Sequence, residues 1–249
     1  MRILLKLSYN GKDFHGFQYQ HNYRTVQGVI EKALKKMHKT SVRIHPSSRT
    51  DRGVHALEQY CHFDTELNIE PEQWQYILNR VLPDDINIGE AKEISTDFHS
   101  RFHSKGKTYR YRIYTTEAVN PFYFGLKTHY PDKLDRQKMQ AAMDPFIGTH
   151  DFTSFSSAKA EIKNKVRNIS EFRIEETQDG FDFVITGSGF LYNMVRIMVA
   201  YVIQVGAGKR EAATEEIISK KDRTIVPRTA PAEGLYLEKV YFDQTVKSN

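Results

Sequence analysis

The chain has one cysteine and one tryptophan in 249 residues, and it lacks an apolar run of membrane-spanning length. The lone thiol, Cys61, excludes an internal disulfide framework and fits a reducing compartment. The longest apolar region, 190–205, is interrupted by Asn193, Arg196 and Gln204. Met1-Arg2-Ile3-Leu4-Leu5-Lys6 is too short and broken for a secretory signal, so a soluble cytoplasmic protein is expected. Nucleotide-binding loops are lacking as well. Ala207-Gly208-Lys209-Arg210 misses the glycine spacing and hydroxyl of a P-loop, and Gly187-Ser188-Gly189 misses the third glycine of a dinucleotide fingerprint. His99 and His103 stand four apart with no third ligand in register, so neither a metal nor a cofactor is expected.

What the chain does have is positive charge and aromatic rings. Thirty-six Lys and Arg against 31 Asp and Glu leave a net charge of +5, with 14 Tyr and 15 Phe. The excess of cations favours an acidic partner, nucleic acid first. The length suits one large domain or two of about 120 residues each.

Periodicity divides the chain in two. Ile3, Leu5, Leu7 and Tyr9 alternate as a strand that Asn10-Gly11 ends. Thr25 caps a helix facing inward through Val26, Val29, Ile30, Ala33, Leu34 and Met37. Val42 to His45 and Leu57 to Asp64 read as strands, Pro71-Glu72 opens a helix around Trp74, Ile77, Leu78 and Val81, and Ile86 to Ile94 reads as a strand. The order repeats after about residue 104: a strand over Lys107 to Thr115, a helix capped by Asp135, strands over Asn168 to Thr177 and Phe181 to Thr186, a helix from Leu191 to Val205, a shorter helix near Glu211 to Lys220, and a strand from Leu235 to Phe242. The expectation is an α+β protein of two ferredoxin-like (RRM-like) β-α-β-β-α-β domains, 1–103 and 104–249, with antiparallel sheets and an active-site cleft between them.

Three features carry chemistry. Ser47-Ser48-Arg49-Thr50-Asp51-Arg52-Gly53-Val54-His55 places one carboxylate between two guanidiniums, on a loop between strands where a rigid scaffold holds it. By itself this stretch reads first as a loop Asp paired with a neighbouring Arg, and only second as a catalytic carboxylate. Residues 101–112 interleave Arg101, Lys105, Lys107, Arg110 and Arg112 with Phe102, Tyr109 and Tyr111. Cations follow phosphates and rings stack on unpaired bases, although both tyrosines also suit a core. Lys159, Lys163, Lys165 and Arg167 form a second basic cluster. Arg196, in an otherwise apolar helix, either reaches the surface or has a carboxylate partner, for which Asp51 is the candidate. Cys61 reads as a small buried hydrophobe.

Arg49-Thr50-Asp51-Arg52-Gly53-Val54-His55-Ala56 resembles the signature of the tRNA pseudouridine synthase A (TruA) family, and the likeness runs along essentially the whole chain. Tyr9-Asn10-Gly11, Phe14-His15-Gly16-Phe17-Gln18, Arg24-Thr25-Val26-Gln27-Gly28, Leu82-Pro83-Asp84-Asp85-Ile86, Phe98-His99-Ser100-Arg101-Phe102, Gly148-Thr149-His150-Asp151-Phe152, Gly187 to Arg196 and Ala230-Pro231-Ala232-Glu233-Gly234-Leu235 follow in order. The resemblance implies a homodimer that isomerises uridine to pseudouridine in the anticodon stem-loop of tRNA, without metal or organic cofactor. It implies Asp51 as nucleophile, Tyr109 as the ring against the base, Arg196 as the active-site cation, and Arg49 as the residue holding the target nucleotide out of the stem. Arg52, His55, Arg101, Lys105, Lys107, Arg110, Lys163 and Lys165 complete the expected RNA-binding set. The sequence departs from the family at Ser48 and Arg52, which stand for glycine and alanine, and at Phe17, which stands for tryptophan. A divergent paralogue with another tRNA target and a non-catalytic RNA-binding module are the competing readings. A hydrolase of small substrates ranks lowest, because no second carboxylate accompanies Asp51.

Overall fold

The computed structural model describes residues 1–158 and 162–243. In chain order the elements are β1 (Arg2–Tyr9), α1 (Val26–His38), β2 (His45–Pro46), β3 (His55–Asp64), α2 (Gln73–Asn79), β4 (Ile86–Ile94), β5 (Ser104–Tyr114), β6 (Thr128–His129), α3 (Arg136–Met143), β7 (Gly148–Asp151), β8 (Val166–Thr177), β9 (Gly180–Gly187), α4 (Met194–Gly206), α5 (Thr214–Lys220) and β10 (Leu235–Phe242). The protein is thus mixed α and β. Its residues fall into two compact units, one made of 1–105 with the chain from Tyr236 onward, the other of Gly106–Leu235. β10 belongs to the first unit, where it lies parallel to β3, pairing Tyr236 with His55 and Leu237 with Ala56.

In the first unit β1 is central, antiparallel to both β3 and β4, and β2 pairs with β3. Ile3, Leu5 and Leu7 alternate as expected, yet Leu4 is buried too. α1 begins where its cap dictates, with the Thr25 hydroxyl accepting from Gly28 N at 3.2 Å. Trp74 of α2 is fully buried, edge-on to Phe63 at 5.1 Å. The register of β1 against β3 shifts between Leu7 and Tyr9, so the bulged end of β1 lies opposite Ala56. That is where the Asp51 loop leaves the sheet. The expected strand at Val42–His45 shrinks to two residues, because polar His45 and Pro46 give a short edge.

In the second unit the sheet order is β5-β9-β8-β7, all antiparallel, with β6 parallel to β5. Asp135 caps α3 by accepting from Gln137 N and Lys138 N at 2.9 and 3.1 Å. α4 is buried on nearly every side. At its end a Cβ on Gly206 would stand 2.4 Å from Met139 Cγ, so glycine permits the close approach of α3. The helix starts at Met194 rather than Leu191, since Asn193 takes a left-handed conformation (φ 60°) immediately before it. Strands β6 and β7 were not expected; at two and four residues they are too short to show a period.

Candidate active site

In the first unit, a lattice of hydrogen bonds fixes the Asp51 loop from below. The Ser47 hydroxyl donates to Gln59 Oε1 at 2.6 Å, and Gln59 Nε2 returns a bond to Ser48 O at 2.9 Å. Thr50 is held through its side chain by Tyr9 Oη at 2.7 Å and through its carbonyl by Phe17 N at 3.0 Å. Gly53 N donates to Phe14 O at 3.2 Å and Val54 N to Asp51 O at 3.1 Å, closing a turn that needs the left-handed Gly53 (φ 78°). Gly16 (φ 92°) lies directly behind: a Cβ there would sit 2.9 Å from Thr50 O and 3.3 Å from the Asp51 carbonyl carbon. Asp51 itself is half-buried, while Arg49 and Arg52 on either side are exposed. The result is a carboxylate on an immobilised turn flanked by solvated cations.

His55 was expected to face RNA, and the structure places it elsewhere. It is 1% exposed, accepts from Gly11 N through Nδ1 at 3.0 Å, and stacks on Tyr236 with centroids 4.4 Å apart. A side chain on Gly11 would collide with Val54 O. His55 therefore anchors the base of the turn. Gly11, Gly16 and Gln59 are the positions missed by reasoning on charged groups alone; the glycines are part of the opening family-like segment, but their steric role needed the fold.

In the second unit, Tyr109 and Tyr111 share one face of β5, opposite Ile185 and Phe183 of β9. Tyr111 is core: fully buried, it shares a 2.8 Å hydrogen bond with the Thr128 hydroxyl and donates to Pro231 O at 2.8 Å, and burial raises its pKa. Tyr109 keeps 7% exposure and meets Phe190 edge-on at 5.1 Å. Arg196 is half-buried on α4, where its Nε donates to Ala230 O at 2.7 Å and its Nη1 to Asn193 Oδ1 at 3.0 Å. Backbone carbonyl and amide acceptors, not anticipated from sequence, therefore orient this guanidinium.

The expected RNA-contacting cations divide. Arg110 is bound to Glu175 and, at 3.0 Å, to the buried Asp182, an ion-pair network within the sheet rather than an open contact. Arg101, Lys105 and Lys163 are exposed, Lys105 3.0 Å from Asp243. Lys107 and Lys165 are half-buried. Lys159 lies outside the described residues. Burial holds the Cys61 thiol protonated by raising its pKa. His62 contacts both His45 and His99, and burial with nearby cations lowers its pKa to about 3. Among the described residues no group of three or more His, Cys, Asp or Glu is arranged to hold a metal ion, and no helix is long and apolar enough to cross a membrane.

Residues 7–103 and 142–243 match the family described as tRNA pseudouridine synthase, and the chain belongs to that family. Members are isomerases that convert uridine to pseudouridine. More narrowly, the chain is 57% identical over 242 residues to tRNA pseudouridine synthase A of Staphylococcus saprophyticus, covering 97% of this chain and 91% of that one. It is 56% identical over 245 residues to the protein of the same name from Staphylococcus aureus strain JH1, covering 98% and 92%. Among solved structures, a chain of a Cbf5-Nop10-Gar1 complex aligns over 80% of this chain and 54% of its own, with a TM-score of 0.35 and 10% identity.

Proposed function

We propose that this protein isomerises uridine to pseudouridine in the anticodon stem-loop of tRNA with Asp51 as the nucleophile. The observation that supports the assignment is the hydrogen-bonded turn at 47–54, which holds half-buried Asp51 between its exposed chain neighbours Arg49 and Arg52 in a chain of this family. Catalysis requires the C1′–N1 bond to break, the uracil to turn, and a C1′–C5 bond to form. No atom is gained or lost: C5 gives up its proton and N1 regains one. Asp51 attacks C1′ as the C1′–N1 bond breaks, or attacks C6 of the base, or acts as a base that takes the C2′ proton as uracil departs, leaving a glycal, and returns that proton to C2′ when C5 bonds to C1′. Arg196 supplies a fixed cation for charge developing in the reaction, Tyr109 a flat face to retain the loose uracil, and Arg49 a contact for the nucleotide drawn from its stack.

The two compact units are proposed to be the family's ferredoxin-like domains. In the first, the order β4-β1-β3 with β2 on the far side of β3 supports this. A cytoplasmic homodimer is part of the proposal, and Arg101, Lys105, Lys107, Lys163 and Lys165 serve the phosphate backbone. Mapping pseudouridine in tRNA from cells with and without this protein tests the assignment. Loss confined to anticodon-arm positions is expected; an unchanged map overturns it.

A further inference from the structure

The segment behind the Asp51 loop does more than support it. From Phe14 to Arg24 the chain forms a compact turn closed by His15 N to Arg24 O at 2.8 Å, by Gln20 Nε2 to His15 O at 2.7 Å and by Tyr23 N to Gln20 O at 3.3 Å. Arg24 locks it by a two-pronged pair with Asp85 at 2.7 and 2.9 Å and by lying 4.0 Å above the buried Phe14 ring. This rigid turn displays an aromatic ring. Tyr23 rests on His15 with centroids 4.4 Å apart, and 54% of it faces solvent. Burying this ring is not what the fold uses it for. Phe14 and Gly16, the neighbours of His15, are the residues that touch Gly53 and Thr50.

When a uridine leaves its stack, the bases beside it lose a partner, and a preorganised ring near the reacting loop can replace that partner. We propose that the outer face of Tyr23, backed by His15, stacks on the nucleobase flanking the extruded uridine. The inference rests on the placement of Asp51 as nucleophile. It adds a base-binding residue that senses the sequence context of the target through a π face and so tolerates any base while favouring purines.

The test uses synthetic anticodon stem-loop RNAs carrying 2-aminopurine immediately 5′ or 3′ of the target uridine, bound to the full-length protein. Wild type is expected to quench the fluorophore at one of these positions. Tyr23→Ala and Tyr23→Leu are expected to abolish that quenching and raise Kd about tenfold, with Tyr23→Phe retaining both, since stacking needs the ring and not the hydroxyl. Quenching in Tyr23→Ala equal to wild type, or loss in Tyr23→Phe, overturns the proposal. Pseudouridine formation by the wild type on the same RNAs is measured in parallel. Its absence contradicts the enzymatic assignment, whereas full activity with unaltered quenching in Tyr23→Ala contradicts only the role of Tyr23. Thermal unfolding of each variant confirms that the turn is retained.

Discussion

Arg196 and Ala230 bind each other twice: Ala230 N donates to the Arg196 carbonyl at 3.1 Å, and Arg196 Nε donates back to the Ala230 carbonyl at 2.7 Å. With Asn193 Oδ1 on a second guanidinium nitrogen, the cation is fixed before any substrate arrives. A lysine has the charge but not the planar fork. Arg196→Lys is therefore expected to lower kcat about a hundredfold, in the range of losing one aligned electrostatic donor, with tRNA affinity changed only a few-fold. Single-turnover rates and filter binding separate the two effects.

Gly16 supports the Asp51 loop by having no side chain. Its φ of 92° and the 2.9 Å approach of a Cβ to Thr50 O mean that alanine must displace the Asp51 loop. Gly16→Ala is expected to destabilise the protein by about 1–3 kcal/mol and to reduce kcat beyond what the unfolded fraction explains. Denaturant unfolding and activity on folded protein check this.

How much of this was open to sequence reading depended on the physics of each feature. Thr25 and Asp135 cap their helices as expected, because capping is a local bond between neighbours. β4 and β10 fall on the expected residues. The Asp51 turn stands out in the sequence by its charges and glycine, whereas Gly11, Gly16 and Gln59 do not, because their roles depend on segments packed from elsewhere in the chain. Arg110 misled for the same reason: its carboxylates are 65 and 72 residues away, on neighbouring strands. The exit of β10 into the first unit is equally non-local, since nothing in its own alternation names its partner strand.

That network predicts a division of labour among the cations. Arg110→Ala removes the shorter of two cationic contacts to the buried Asp182 carboxylate and leaves Arg112 Nε at 3.7 Å, so about 1–3 kcal/mol of stability is expected to be lost, with little specific effect on RNA affinity. Arg101→Ala and Lys163→Ala, at exposed positions, are expected to leave stability within about 0.5 kcal/mol while weakening tRNA binding and flattening its salt dependence. Titrations at several salt concentrations distinguish the two groups.

His62 gives the fold an acid-sensitive point. Burial first, then Arg2, His99 and His45, lower its pKa to about 3, against 6.5 when unfolded, with Asp64 opposing. Between these values the unfolded chain binds the extra proton, so stability is complete above about pH 6.5 and declines as pH falls toward 3. His62→Gln is expected to lose less stability than wild type between pH 7 and pH 5, measured by denaturant midpoints.

The most direct measurement of the central claim is pseudouridine formation on an anticodon stem-loop by Asp51→Ala, with tRNA binding followed in parallel. The account predicts no detectable product and a Kd within a few-fold of wild type, because the substitution removes the proposed nucleophile and leaves the turn, the basic surface and the rings in place. Product formed at anything near the wild-type rate contradicts it.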